Sequence, residues 1–143
     1  VSPLLALMRD QAERLDGAGV EGARLDSTVP AGEQRRVESE LAGGLHDVVL
    51  VTPERLQSPA ALAPLRARGV ALVAIDEAHC VSQWGHDFRP AYLGLRDAIR
   101  ALGRPAVMAL TATAPPELAR DILACLGIEH AVVVQTGIER DNL

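Results

Sequence analysis

The chain has 143 residues, 48% of them hydrophobic and 23% charged, with a net charge of −5. That length and composition suit one globular domain around a single core and exclude a disordered acidic tail. Two cysteines, Cys80 and Cys125, exclude a disulfide framework and a cysteine cage for zinc, and the acidic balance excludes broad attraction to nucleic acid but not a local groove.

Ser2-Pro3 predicts a helix start, with serine as the cap and proline in the first turn. Leu4, Leu5, Leu7, Met8, Ala12 and Leu15 recur at helical spacing until Gly17 and Gly19 stop the run. Residues 23–26 read as a short strand, and residues 32–41 as a polar-faced helix closed by Gly43-Gly44. Residues 47–51 form a β-branched run ending in Thr52-Pro53. Ser58-Pro59 opens another helix, irregular at Pro64, that ends near Gly69. Residues 70–75 are an unbroken apolar run, as expected of a strand covered on both faces, and they end in Asp76-Glu77. Residues 80–90 have no clear period. A helix over 90–102, a strand over 106–110, an amphipathic helix over 115–126 and a last strand over 131–134 complete the series. Strands alternate with helices over short connections, the pattern of an α/β domain with a mostly parallel sheet flanked by helices. No stretch is long and apolar enough to cross a bilayer and no export signal opens the chain, so a reducing, cytoplasmic setting is expected.

Two features of the composition narrow the chemistry. All 14 basic residues are arginine, so a Schiff base or a phosphate-binding P-loop lysine would have to come from outside this chain. The only aromatics are Trp84, Phe88 and Tyr92, which concentrates aromatic chemistry at one place. The first residue is Val1, which reads as a processed chain or a piece of a longer one.

Gly17-Ala18-Gly19-Val20-Glu21-Gly22 fits G-x-G-x-x-G but follows a helix and precedes a strand, the reverse of the dinucleotide-binding context, and is read as a loop. Asp76-Glu77-Ala78-His79 stands at the carboxyl end of a buried strand, where ligands of open α/β sheets bind. One carboxylate there suits a hydrated magnesium ion, and the other could orient and deprotonate an attacking water. The plainer alternative is that either acid caps the next segment. A zinc site from His79, Cys80, His86 and Asp87 is disfavoured, because adjacent His79 and Cys80 suit one metal poorly and no C-x-x-C or H-x-x-x-H spacing supports it. The segment Ser82-Gln83-Trp84-Gly85-His86-Asp87-Phe88-Arg89-Pro90 mixes rings with Arg and His. Trp84, Phe88 and Tyr92 stand four apart, as in a helical core stripe, but Gly85 and Pro90 oppose a helix. As a loop, it offers rings to stack on bases and a cation for phosphate, the needs of single-stranded nucleic acid. Tyr92 is assigned to packing in the following helix. Thr111-Ala112-Thr113-Ala114 follows another strand; its hydroxyls either cap the next helix or relay contacts beside the carboxylates.

Together these segments resemble RecQ DNA helicases. Residues 76–90 are similar, nearly residue for residue, to that family's Walker B motif and aromatic-rich loop. Residues 1–11, from Val1 to Gln11, resemble its motif Ia. Asp26-Ser27-Thr28 resembles its Asn-Ser-Thr segment, and Thr52-Pro53-Glu54-Arg55-Leu56 and residues 109–114 match in order. The resemblance implies part of the first RecA-like motor domain of a 3′-to-5′, ATP-dependent DNA helicase acting on single-stranded and partly duplex DNA. It implies that Asp76 holds Mg²⁺ through water, Glu77 activates water, and His79 with the loop Ser82, Gln83, Trp84, His86, Asp87, Phe88 and Arg89 couples DNA to hydrolysis. Ser2, Asp10, Gln11, Ser27 and Thr28 would face DNA, and Thr111 and Thr113 would link the two sites. It also implies a P-loop segment upstream of Val1 and a second motor domain downstream, a bacterial-type nucleoid-associated location, and no hydrolysis of ATP by this chain alone. Ile138 and Asp141 depart from the Phe-x-Arg-Pro-Asn pattern expected near the end. The rival reading is a truncated, non-catalytic DNA-binding or regulatory remnant; the intact carboxylates and loop favour the enzyme.

Overall fold

The computed structural model describes residues 1–112 and 114–135; Thr113 and the departures at 138–142 lie outside the described residues. Helix α1 (Leu5–Gly17) leads to strand β1 (Gly22–Leu25), then α2 (Ala31–Gly43) to β2 (Val48–Val51). After α3 (Pro53–Leu56) and α4 (Pro59–Arg68) comes β3 (Leu72–Ile75), and after α5 (Leu95–Ala101) come β4 (Ala106–Ala109) and α6 (Pro116–Leu126). β1 pairs parallel to β2, with Leu25 opposite Val51, and β3 pairs parallel to β4, with Ile75 opposite Ala109. The α/β class with parallel strands flanked by helices is thus as expected.

The first residues of the chain splice the two pairs together. The Val1 amine donates to the Ala74 carbonyl at 2.6 Å, and the Asp76 amide donates to the Val1 carbonyl at 2.9 Å. That exchange is a parallel bridge opposite Ile75. On the other side the Ser2 amide donates to the Val51 carbonyl at 3.2 Å. The spatial order is therefore β1, β2, Val1–Ser2, β3, β4. One face of these strands buries Leu25, Val51, Val73 and Ile75 against Val37 and Leu41 of α2, Leu95 and Ile99 of α5, and Ile122 and Leu126 of α6 in one continuous core. Left-handed glycines end two of the packing helices, Gly44 at φ 79° after α2 and Gly127 at φ 72° after α6.

Four expectations are corrected. Ser2 does not cap α1, which starts at Leu5 with Leu4 at the cap position; the Ser2 hydroxyl donates to Asp76 and accepts only from the Leu4 amide, at 3.4 Å, ahead of the helix. The helix expected over 90–102 is a 3₁₀ turn (Pro90–Gly94) followed by α5, with Gly94 at the break. β3 is covered on one face only among the described residues: Val73 and Ile75 point inward while Leu72 stays 52% exposed. Residues 131–134 form no strand; Val132 and Val134 are exposed, since a β-branched run without a neighbouring strand has nothing to pair with.

Candidate functional site

The carboxyl ends of β3 and β4 meet in a corner of polar side chains. The Ala78 amide donates to the Leu110 carbonyl at 2.8 Å, which sets Thr111 beside the turn that follows β3. Glu77 makes that turn in the left-handed region, at φ 48° and ψ 46°, a conformation a non-glycine residue holds only when its surroundings impose it. Asp76 is gripped at three points. Its Oδ2 accepts from the Ser2 hydroxyl at 3.1 Å, its Oδ1 from the Glu77 amide at 3.0 Å, and its carbonyl from the Tyr92 hydroxyl at 2.9 Å. Next to it the buried His79 ring brings Nδ1 to 2.9 Å from Thr111 Oγ1 and 3.3 Å from Glu77 Oε2. Asp76, Glu77, His79 and Thr111 therefore form one connected group.

Among the described residues no arginine pairs with Asp76 or Glu77, so the two acids keep lone pairs for an incoming cation. One half-buried carboxylate with a hydroxyl beside it is the kind of oxygen donor set a hydrated Mg²⁺ takes. The potential ligand atoms of His79, Cys80 and Asp87 also lie within 4.8 Å of one another. Burial, and then the charge of Asp87, pushes the Cys80 thiol up, away from the thiolate that zinc requires.

The aromatic-rich segment is a loop built on this corner, not a helical stripe. A 3₁₀ turn (Ala78–Val81) runs into the buried Ser82, whose Oγ accepts from the Trp84 amide at 3.1 Å. The Arg89 amide returns to the Cys80 carbonyl at 2.9 Å and closes the base of the loop. Gly85 crosses so near that a Cβ there would lie 2.6 Å from the His79 carbonyl oxygen, which is why a residue without one stands at this position. The His86 ring stacks on His79, with centroids 4.8 Å apart. Asp87 accepts from the Cys80 thiol and pairs with Arg89 at 3.4 Å. Gln83 is exposed, Phe88 is half-buried, and Trp84 stands 87% exposed at the tip. Tyr92 is fully buried.

The carboxyl ends of β1 and β2 frame a separate groove of about 480 Å³, lined by Pro3, Ser27, Thr52, Glu54, Arg55 and Ser58. Asp26 forms its floor. It is fully buried, accepts from the Thr28 amide at 2.7 Å and hydroxyl at 2.5 Å, and pairs with Arg24 at 2.8 Å. Burial alone would raise this carboxyl, but the Thr28 bonds and the Arg24 and Arg9 charges outweigh it and hold it below the usual carboxylate range. Arg55 is tied to Glu38 across the groove wall. Asp10 and Gln11 stand on α1, Asp10 exposed and Gln11 half-buried. Of the residues expected to face DNA, Ser27 lines the groove and Thr28 binds its floor, whereas Ser2 is buried against Asp76. Tyr92 is the contact that sequence reasoning missed, because helical spacing assigned it to packing. The Asp26 anchor carried a usable signal, an Asp two residues before a Thr in a turn.

Corner, loop and groove thus gather at the carboxyl ends of parallel strands, where open α/β sheets bind their ligands. The chain belongs to the DEAD/DEAH box helicase family, which matches residues 1–122. Within that class the resemblance to RecQ extends over the whole chain. It is 45% identical to the ATP-dependent DNA helicase RecQ of Bacillus subtilis and 41% identical to the probable ATP-dependent DNA helicase RecS of the same organism, covering 24% and 29% of those proteins. It is also 34% identical to the bifunctional 3′-5′ exonuclease/ATP-dependent helicase WRN of Mus musculus, of which it covers 10%. The chain thus spans under a third of the length of each of these relatives. Among solved structures, the Hef helicase domain of Pyrococcus furiosus shares the fold, with a TM-score of 0.61 and 24% identity over 90% of this chain and 27% of that one. Among the described residues no helix is long and apolar enough to cross a membrane.

Proposed function

We propose that this chain is the central part of the first motor domain of a RecQ-type, ATP-dependent 3′-to-5′ DNA helicase, and that it couples single-stranded DNA to ATP hydrolysis. The observation that carries the reading is the exposed Trp84 ring on a loop whose base, at His79, touches Glu77. A stacking platform and a hydrolytic carboxylate are thereby parts of one turn of chain.

In this reading Asp76 holds magnesium through water, and the ion when bound supplies charge neutralisation for the phosphates. Glu77 takes the proton of the attacking water, the step a positioned carboxylate contributes. His79 orients Glu77 through Nδ1, and Thr111, which meets the same nitrogen, reports the state of β4; Thr113 is assigned the same linking role. Trp84 and Phe88 stack on bases, a contact that tolerates any sequence, while His86 and Arg89 approach the backbone. Ser27, Thr28, Asp10 and Gln11 face the strand along the groove; Ser2 acts from behind, on Asp76. Without a lysine in the chain, the phosphate cradle belongs to a P-loop segment of the longer protein, and the remaining transition-state charges to a second motor domain. The substrate is single-stranded and partly duplex DNA, and the setting cytoplasmic, at the nucleoid.

The test is steady-state ATP hydrolysis by the longer protein with and without single-stranded DNA. Trp84→Ala is expected to lower the ratio of DNA-stimulated to DNA-free rate by about tenfold, the loss of one base–aromatic stack. An unchanged ratio would refute the coupling role.

A further inference from the structure

Resting on that functional reading, the geometry points to Tyr92 as a positioning residue: its hydroxyl holds the peptide between Asp76 and Glu77, and so passes the state of the aromatic loop to both carboxylates.

The peptide linking Asp76 to Glu77 is pinned at both ends. Its carbonyl oxygen accepts the Tyr92 hydroxyl at 2.9 Å, and its amide donates to Asp76 Oδ1 at 3.0 Å. This peptide leads directly into the left-handed turn at Glu77. Any rotation of its plane changes ψ of Asp76 and φ of Glu77 together, and therefore swings both acids. A left-handed glutamate is strained and persists only where its surroundings hold it, and Tyr92 supplies the restraint on the carbonyl side.

Tyr92 is also attached to the loop. Its amide donates to the Arg89 carbonyl at 2.9 Å, and the Arg89 amide in turn donates to the Cys80 carbonyl at 2.9 Å, the bond that closes the loop's base. A shift of the 82–89 segment on meeting DNA thus moves Arg89, and Arg89 carries Tyr92. The ring is fully buried, so it transmits displacement as a rigid body rather than absorbing it by changing rotamer. The route from Trp84 to Glu77 therefore has two branches, one through the His86–His79 stack and one through Tyr92.

The experiment is Tyr92→Phe in the longer helicase, a change that keeps the ring in the core and deletes only the hydroxyl. The expected result is a kcat for ATP hydrolysis lower by about two- to tenfold, the worth of one neutral hydrogen bond. The KM for ATP and the affinity for a fluorescent single strand should stay within about twofold, and the DNA-stimulation ratio should fall. Tyr92→Phe combined with Trp84→Ala should lower that ratio by less than the product of the two single effects, because both act on one route. A purely structural role would lower the melting temperature and leave kcat and the ratio of the folded protein unchanged, and that outcome overturns the inference. Full additivity in the double variant overturns the loop connection. A wild-type protein whose hydrolysis ignores DNA would instead refute the motor reading itself, and this inference with it.

Discussion

Two aspartates end two strands of this sheet at equivalent positions and do opposite work. Asp26 follows β1 and Asp76 follows β3. Asp26 is fully buried, and its oxygens are taken by Thr28 and Arg24. Asp76 is half-buried and bonded to the neutral Ser2 hydroxyl and one amide, with no arginine against it. A carboxylate that already has its cation is a strut. One supplied only with neutral donors can still bind a metal. What separates them is therefore the partner set, which the strand ends themselves do not encode.

That contrast can be broken from either side. The largest effect is expected at the chemical end, where Glu77→Gln in the longer protein should cut ATP hydrolysis by about 10²-fold or more while thermal unfolding stays unchanged. Hydrolysis that survives the change would remove Glu77 from the water-activating role. At the structural end Asp26→Ala should lower stability by about 2–3 kcal/mol in a denaturant titration, since it leaves the Arg24 charge without its counter-ion and the Thr28 donors without their acceptor. A loss under about 0.5 kcal/mol, typical of a surface change, would mean that Asp26 is not a strut. The smallest effect is the acid limb. The folded Asp26 carboxyl titrates below its unfolded value, so it binds protons more weakly when folded. Its stabilisation is complete above that unfolded value, at about pH 4, and is lost as the pH falls through the lower folded value. Asp26→Asn should flatten the dependence of the urea midpoint in that window, and an unaltered profile would assign the acid limb to other groups.

Much of this was legible in the residues, for identifiable reasons. The runs at 47–51, 70–75 and 106–110 announce strands because contiguous apolar, β-branched residues suit buried parallel pairing. The loop at 82–90 was separable from a helical stripe because Gly85 and Pro90 oppose a helix, and the structure adds the close approach to His79 that makes Gly85 necessary. The uses of single hydroxyls were not legible. Ser2 before Pro3 has every local mark of a helix cap, yet its hydroxyl donates to a residue far along the chain and accepts only from the Leu4 amide, ahead of the helix. Tyr92 sits at core spacing and is in the core, and nothing in spacing reports where a phenol oxygen ends up. The valines at 132–134 show the reverse failure, a strand-forming run without a neighbour among the described residues.

The bond from Val1 to Ala74 spans 73 positions and that from Ser2 to Asp76 spans 74, whereas the two strand pairs close over much shorter loops. Closing a longer loop costs more entropy and tends to come later in folding. Each strand pair can thus collapse with its own helices first, and the splice that brings Ser2 onto Asp76 follows. Asp76, the acid proposed to hold magnesium, therefore gains its Ser2 restraint only when the two halves of the sheet have met, and loop-closure entropy alone would make completion of this corner a late event in folding.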